Sequence, residues 1–567
     1  MLYKHKILFS RKNTGSPLRP FVPAAALLSA FLISGCAPEE ESGNESPSSE
    51  EENEAEENEE QTEEETSEPD TPSDYGVSAG HPDAVDAGMD VLEQGGNAAD
   101  AAIAAAYAVS VVEPFASGIG GGGSVLIHEQ GEEPQAYDYR EVVPETGIPS
   151  SDIGVPGFTA GMNEFHADYG NAEWEELLDP AVALADSSEV SDLLADQLQS
   201  GADSLPISQL PHLYPNGVPL EAGSTVEQAE LAETLRDIRD NGSSTFYEGT
   251  AGESLAAQIE GMDAASLAGF EVSSHEPSIG TFAGYDVIGA APPLPGISVI
   301  QMLQILEERG SAEADRDTTE FIHDTAMSWR LTSQFIETDY GDPNFVDVPV
   351  DRLTDPEQNA ALADDISSDS LVSADEAPSY TGDPNTTHIT VVDEDGTFVS
   401  MTNTLTNFWG SGEYADGYFL NNQMDRFSIG ENSMNEPEPG RRSVTWSSPM
   451  LVADDEGPVL GIGSPGGERI PIMLTQVIAD WADGTSLEEA VESPRFHLDD
   501  SALIMEEAPG AEQREELLSI GYSGIEEPPT PLYFGSIQAL ALDRETGELS
   551  GARDTRREAD FQVTVTD

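Results

Sequence analysis

Between Glu39 and Asp70 the chain reads EEESGNESPSSEEENEAEENEEQTEEETSEPD, a run with no Lys, no Arg and no aromatic residue. Such a segment cannot bury enough apolar surface to offset the entropy of ordering it, and its like charges repel. It is expected to stay a disordered tether, so folding is confined to the residues from about Tyr75 onward. The chain as a whole carries a formal net charge of -87, most of it on residues beyond the run, and the folded part must tolerate that share. The lysines are Lys4, Lys6 and Lys12; from Cys36 onward there is none, and Arg carries the positive charge. A lysine-free, acid-rich surface stays hydrated when salt screens its self-repulsion, which reads as adaptation to brine. The same charge argues against nucleic acid as a partner, because a phosphate backbone needs a basic footprint.

Ahead of the tether, Lys4, Lys6, Arg11, Lys12 and Arg19 form a basic region followed by the short apolar run FVPAAALLSAFLISGC. This is the pattern of an export signal, too short and too interrupted by Pro to span a membrane well. Ile33-Ser34-Gly35-Cys36 resembles a bacterial lipobox, which implies a signal over 1–36 and lipid on Cys36, the sole cysteine. The expected location is the outer face of a bacterial cell membrane, with 37–74 as spacer.

In the body, HPDAVDAGMDVLEQGGNAADAAIAAAYAVSVVEP predicts two helices, the first ending at Gly95-Gly96 and the second opening at Asn97 or Ala98. SGIGGGGSVLIHE predicts a glycine turn and a strand, and AYDYRE another strand with Arg140 near its end. Residues 155–340 read as mostly helical, and 361–385 as a polar, flexible strap. From Thr386 the character changes. THITVVDEDGTFVSMTNTLT alternates like two strands joined at Asp395-Gly396. Two further strands flank Asp454 to Gly457, two helices come next, and SIQALALDRETGELSGARD predicts a closing hairpin. Helices on antiparallel strands make a layered α/β or α+β domain.

Several motifs are weak. Gly118, Gly120 and Gly123 match G-x-G-x-x-G, but they precede a strand rather than a helix, so a tight turn is the better reading. GIGSPGG is not a nucleophile elbow, because Ile462 takes its first glycine position. Its Gly466-Gly467 pair offers either two backbone N–H groups for a developing oxyanion or a turn alone. The nine histidines show no metal-ligand spacing, so no metal is argued.

DPNTTHITVV poses a sharper question. A threonine hydroxyl is a weak nucleophile unless a base activates it, and an N-terminal threonine carries that base as its own α-amine. Thr386 gains such an amine only if the Asn385–Thr386 bond is cut. Most Thr-Thr pairs at strand starts are simply β-formers.

A resemblance bears on that choice. NTTHITVVDEDGTFVSMTNTLTNFWGSG, YFLNNQMDRFS, GIGSPGGERIP and FGSIQAL resemble the small subunit of the γ-glutamyltranspeptidase family. GGNAADAAIA, SGIGGGGSVLIH, YDYRE, GVPGFTAGM and YGDPNFVDVPVDRL resemble its large subunit, in the right order. The resemblance implies an N-terminal-nucleophile hydrolase. Its fold would be a four-layer αββα sandwich, self-cleaved into large (75–385) and small (386–567) subunits of one precursor. It implies Thr386 as nucleophile, cleavage at Asn385/Thr386, and Thr404 as the threonine that bonds the nucleophile and assists maturation. Gly466 and Gly467 would form the oxyanion hole. Arg140 would grip a substrate carboxylate, with Gln423 lining the pocket. Water or an amine would accept the acyl group, and no cofactor is implied.

Departures from the family bear on substrate. The acidic residue that usually follows NNQMD is Arg426, with Asp425 one position before it. The usual Ser-Ser pair is Thr445-Trp446, the asparagine expected after Thr404 is Thr406, and the 427–441 loop looks short. Thr445 with an aromatic neighbour, together with Arg469, resembles the capsule poly-γ-glutamate depolymerase branch; Arg556 matches another basic position. These features tilt the expected substrate toward polymeric γ-glutamate, with glutathione-like compounds as the alternative. A non-catalytic surface-binding protein is the alternative of another class, opposed by the presence of Thr386, Thr404 and the glycine pair.

Overall fold

The computed structural model describes residues 74–373, 384–428 and 433–564. The signal, Cys36, nearly all of the tether, part of the strap and part of the 427–441 loop lie outside the described residues. Thirteen strands form two large sheets. They are β1 (Tyr75–Ala79), β2 (Gly122–His128), β3 (Gln135–Asp138), β4 (Ser273–His275), β5 (Ser278–Phe282), β6 (Tyr285–Gly289) and β7 (Pro384–Val392), followed by β8 (Phe398–Asn407), β9 (Met450–Asp454), β10 (Gly457–Gly463), β11 (Gln538–Asp543), β12 (Glu548–Gly551) and β13 (Asp560–Thr564). The first sheet runs β13-β1-β7-β8-β2-β3-β4 and the second β12-β11-β10-β9-β6-β5; every pairing is antiparallel.

Three apolar clusters hold four layers together. Helices α1 (Pro82–Glu93) and α2 (Ala98–Val112) pack on the first sheet around Val77, Ile389, Val391 and Met401. Between the sheets, Leu126, Val392 and Phe398 meet Ile288, Leu451 and Leu540. Beyond the second sheet lie α3 (Gly296–Arg309), α4 (Thr319–Ser333) and α5 (Ile470–Ala482), packed around Val287, Leu303, Ile462 and Leu474. The alternation of side chains along a strand sends Ile389 and Val391 to the helices and Val392 to the other sheet. This is the expected αββα sandwich.

Local signals explain the element starts. Pro82 opens α1 behind His81, whose ring nitrogen accepts from Asp83 N. Asn97 and Asp100 form a reciprocal capping box that opens α2. Small residues let these helices touch: a Cβ on Gly88 would stand 3.3 Å from Ala101 O.

The 155–340 region is less helical than expected. It contributes β4, β5 and β6, the last two joined by a two-residue turn with both Ala283 (φ 50°) and Gly284 (φ 86°) left-handed. That is the backbone of a tight hairpin, carried here by Ala-Gly rather than Asn-Gly. The strap is also shorter than expected, since a helix over Pro356–Ala363 overlaps its start and Asn385 lies within β7. Among the described residues no helix is long and apolar enough to cross a membrane.

Candidate active site

β7 and β8 pair in simple register from Val392 to Thr387, opposite Phe398 to Asn403. Then the register slips, and Thr406 faces Asn385. This bulge carries Thr404 to the Asn385–Thr386 peptide. The Thr404 hydroxyl donates to Asn385 O at 2.8 Å. Its only proton is thereby committed, so Thr404 Oγ1 accepts from the Thr386 hydroxyl at 3.2 Å and from Thr406 N at 2.8 Å. Gly121 lets the neighbouring chain approach: a Cβ there would stand 2.2 Å from Thr404 O.

Thr386 is 6% exposed, on the face of β7 that looks toward the second sheet. On the same face His388 bonds Thr402 and Thr390, and burial pushes its pKa down to about 3. The ring is neutral and lies against Gly463 of β10, where a Cβ would come within 2.3 Å of it. Its role in the geometry is to space the two sheets behind Thr386.

The glycine pair lies directly after β10. A Cβ on Gly467 would stand 2.2 Å from Pro384 Cγ, two residues before Thr386. Gly466 has φ 143° and Gly467 φ 63°, conformations that glycine adopts without strain. Neither N–H has an acceptor among the described residues.

A chain of polar contacts runs from the threonines to Arg140. The Thr406 hydroxyl donates to Gln423 Oε1 at 2.5 Å, and Gln423 Nε2 donates to Ser443 Oγ at 2.9 Å. Arg140 Nη1 donates to Ser443 O at 2.8 Å. Its other donors clasp Asp138, at 3.0 Å from Nε and 2.5 Å from Nη2. Arg140 is fully buried, and two N–H groups of its five remain beyond these bonds. Thr406 holds φ 85°, a strained conformation for a β-branched residue and one that asparagine adopts more readily.

Arg426, 3% exposed, donates to Asn407 Oδ1 at 2.9 Å, and Asn407 pairs with Pro384 across the strands. Asp425 is half-buried and, after burial itself, raises the pKa of Asp152. Arg469 stacks 4.4 Å over the Tyr533 ring and lies 3.9 Å from Glu468. Burial pushes the Glu468 carboxyl up, against Arg469 and Arg426. Thr445 is buried, and its neighbour Trp446 packs on Trp329.

Arg556 is not brought into this set. Its guanidinium is engaged by Glu506, Asp554 and the carbonyls of Val491 and Ser493. The next residue does reach it: Arg557 Nη1 donates to Asn385 Oδ1 at 2.5 Å. The doubled arginine of DTRR was the available signal, but not which of the two would point inward. Glu113, also unmarked in the sequence, is buried beside Arg557 and the Thr387 hydroxyl, and burial raises its pKa to about 7. Among the described residues no cluster of three or more His, Cys, Asp or Glu is arranged to hold a metal.

The family model described as gamma-glutamyltranspeptidase matches residues 84–564. The capsule biosynthesis protein CapD proenzyme of Bacillus anthracis is 37% identical, over 85% of this chain and 89% of that one. The glutathione hydrolase proenzyme of Bacillus subtilis (strain 168) is 29% identical, over 94% of this chain and 96% of its own. A cephalosporin acylase from Bacillus halodurans shares the fold, with TM-score 0.80 at 23% identity, covering 87% of this chain and 96% of that one. The sandwich is therefore that of the N-terminal-nucleophile hydrolases. With a match that runs from α1 to the last strand, one assignment remains: this chain is an enzyme of the γ-glutamyltranspeptidase family.

Proposed function

We propose that this enzyme cuts itself between Asn385 and Thr386 and then uses Thr386 to cleave γ-glutamyl amides. In the first reaction Thr386 Oγ adds to the Asn385 carbonyl carbon. The C–N bond breaks and the hydroxyl proton passes to the departing nitrogen, leaving an ester and a free α-amine. Water hydrolyses the ester, restores the hydroxyl and leaves Asn385 as a carboxylate. The pieces are 36–385 and 386–567. In each later turnover the α-amine, with an ordinary pKa of about 8, takes the Thr386 proton as Oγ attacks the γ-glutamyl carbonyl. The amine leaves with a proton, and water or another amine resolves the γ-glutamyl ester. Gly466 and Gly467 direct their N–H groups at the oxyanion.

The observation that carries this reading is the Thr404 hydroxyl, which joins the Asn385 carbonyl and the Thr386 hydroxyl in one hydrogen-bonded set. A denaturing gel with intact-mass analysis tests it. Wild type should run as two pieces, and Thr386→Ala as one inactive chain. Wild type that stays full-length yet turns over substrate would refute the assignment.

Poly-γ-glutamate is the substrate favoured here. The free α-ammonium of a small γ-glutamyl compound needs a carboxylate, and a like charge placed against it costs several kcal/mol. Arg426 supplies that like charge, buried and bonded to Asn407 at the end of β8, the strand paired with the one that carries Thr386. Inside the polymer the nitrogen is already an amide, while each unit keeps a carboxylate for Arg140, Arg426 or Arg469. Glutathione is the second reading, favoured by Glu468 and Asp425, which add negative charge nearby. Paired kinetics on glutathione and γ-linked polyglutamate decide between them. Wild type should prefer the polymer, and Arg426→Asp should shift the preference toward glutathione. A wild type that prefers glutathione, with no change in the variant, would end the polymer reading.

Lipid on Cys36, with the acidic run holding the enzyme off the membrane, completes the proposal. Cys36→Ala protein that remains membrane-bound after export would overturn the anchor.

A further inference from the structure

The segment that leads into β13 is pinned at two points. Asp554 is clasped by Arg495 at 2.6 Å and accepts Ile537 N at 2.7 Å, all in the interior. Glu558 accepts Leu193 N at 2.9 Å. Between these points Arg557 crosses to Asn385, over the Phe408 ring at 5.7 Å. β13 then pairs with β1, Asp560 opposite Ala79, and β1 pairs with β7, Ala79 opposite Ile389. The arginine that holds the Asn385 side chain is therefore in place only when the C-terminal strand has joined the sheet.

Beyond the place of its backbone in β7 opposite Thr406, the Asn385 side chain has no other hydrogen bond among the described residues to orient it. Its carbonyl is held by Thr404, but its side-chain Nδ2 has no partner among the described residues. Without Arg557 the side chain is free to turn, and its pull on the adjoining peptide is lost. The guanidinium does not touch the reacting carbonyl or the hydroxyls, so its action is on geometry. Burial lowers the Arg557 pKa to about 10, an effect that Glu113 beside it opposes, so the guanidinium stays ionised.

We propose that Arg557 is a positioning residue for self-cleavage, which fixes Asn385 through its side-chain oxygen and so makes cutting wait until β13 has docked. This rests on the cleavage proposed above, and extends it from which bond is cut to when.

The test tracks newly synthesised chains on a denaturing gel. Wild type, Arg557→Ala and Arg557→Lys are compared, with Thr386→Ala as the uncut reference for thermal unfolding. Arg557→Ala should cut about tenfold or more slowly, a cost typical of misplacing reacting groups. It should melt close to the Thr386→Ala chain, and millimolar guanidinium should restore cutting by filling the vacated site. Arg557→Lys should cut at an intermediate rate. Cutting of Arg557→Ala at the wild-type rate overturns the proposal. So does an uncut Arg557→Ala chain that melts well below the reference and is not rescued, since Arg557 would then only support the fold. A wild-type chain that never cuts overturns the cleavage reading itself, and this proposal with it.

Discussion

The hydroxyl of Thr404 lies 2.8 Å from the carbonyl oxygen of Asn385, across the one slip of register between β7 and β8. Without that bulge the two strands would continue in step, and Thr404 would stand beside Thr386 rather than over the peptide bond. The prediction concerns Thr404→Val, which keeps the shape and removes the hydrogen bond. Loss of such a bond costs about 1–3 kcal/mol, or roughly five- to 150-fold in rate. Single-chain precursor should accumulate during synthesis, and its decay on a gel gives the rate. Decay at the wild-type rate would show that Thr404 is not part of the reaction.

Gly467→Ala is the second prediction. Its Cβ would meet Pro384 at 2.2 Å, and φ 63° adds about 1–2 kcal/mol of strain for any L side chain. Pro384 must move, and Asn385 with it. The expected result is uncut protein with a lowered unfolding midpoint, read by gel and calorimetry. Normal cutting with an unchanged midpoint would refute the packing described.

Glu141 offers a pH test. It is fully buried and neither carboxyl oxygen has a hydrogen-bond partner among the described residues. Burial raises its pKa from 4.5 to about 8, only partly offset by the nearby charges of Arg140 and Arg442. The folded state therefore holds this proton more tightly than the unfolded one. Its contribution is full below about pH 4.5 and is lost as pH rises to about 8, on the order of a few kcal/mol. Glu141→Gln removes the titration, so its advantage in unfolding midpoint over wild type should grow from pH 5 to about pH 9. A constant difference across that range would contradict the assignment.

The acidic surface makes a fourth prediction. At a formal charge of -87, self-repulsion extends about 10 Å at 0.1 M salt and about 3 Å at 1 M. Unfolding midpoints should rise from dilute buffer to molar NaCl. A flat or falling curve would mean that the composition has another origin.

The features legible in the sequence are those set by local rules. The β7–β8 hairpin shows in its alternation, and α1 and α2 in their caps and spacing. The β5–β6 hairpin is hidden because Ala283 takes a left-handed conformation that alanine rarely signals. The placement of Thr386 can be proposed from NTTH, but not the bulge that brings Thr404 to it, because register is set by the partner strand. Arg140 reads as a substrate ligand, while its neighbour Asp138, two residues earlier, takes two of its five guanidinium donors. Arg556 and Arg557 are alike in sequence; Glu506 and Asp554 draw the first away, and Asn385 receives the second. Such choices belong to tertiary contacts between distant segments and leave no mark on local pattern.

In the first sheet β1 lies between β13 and β7, so a strand from the first piece sits between one from the second piece and the strand whose Thr386–Val392 part belongs to that second piece. In one continuous chain, each of these strands finds its neighbour by an internal search whose speed ignores concentration. Once the chain is cut, the same encounter needs two molecules, and recovery after denaturation becomes second-order and competes with aggregation. The mature enzyme would then persist because it opens slowly, not because it can re-form. A single hydrolysed bond thus acts as a ratchet, after which lifetime rather than equilibrium sets how long the enzyme works.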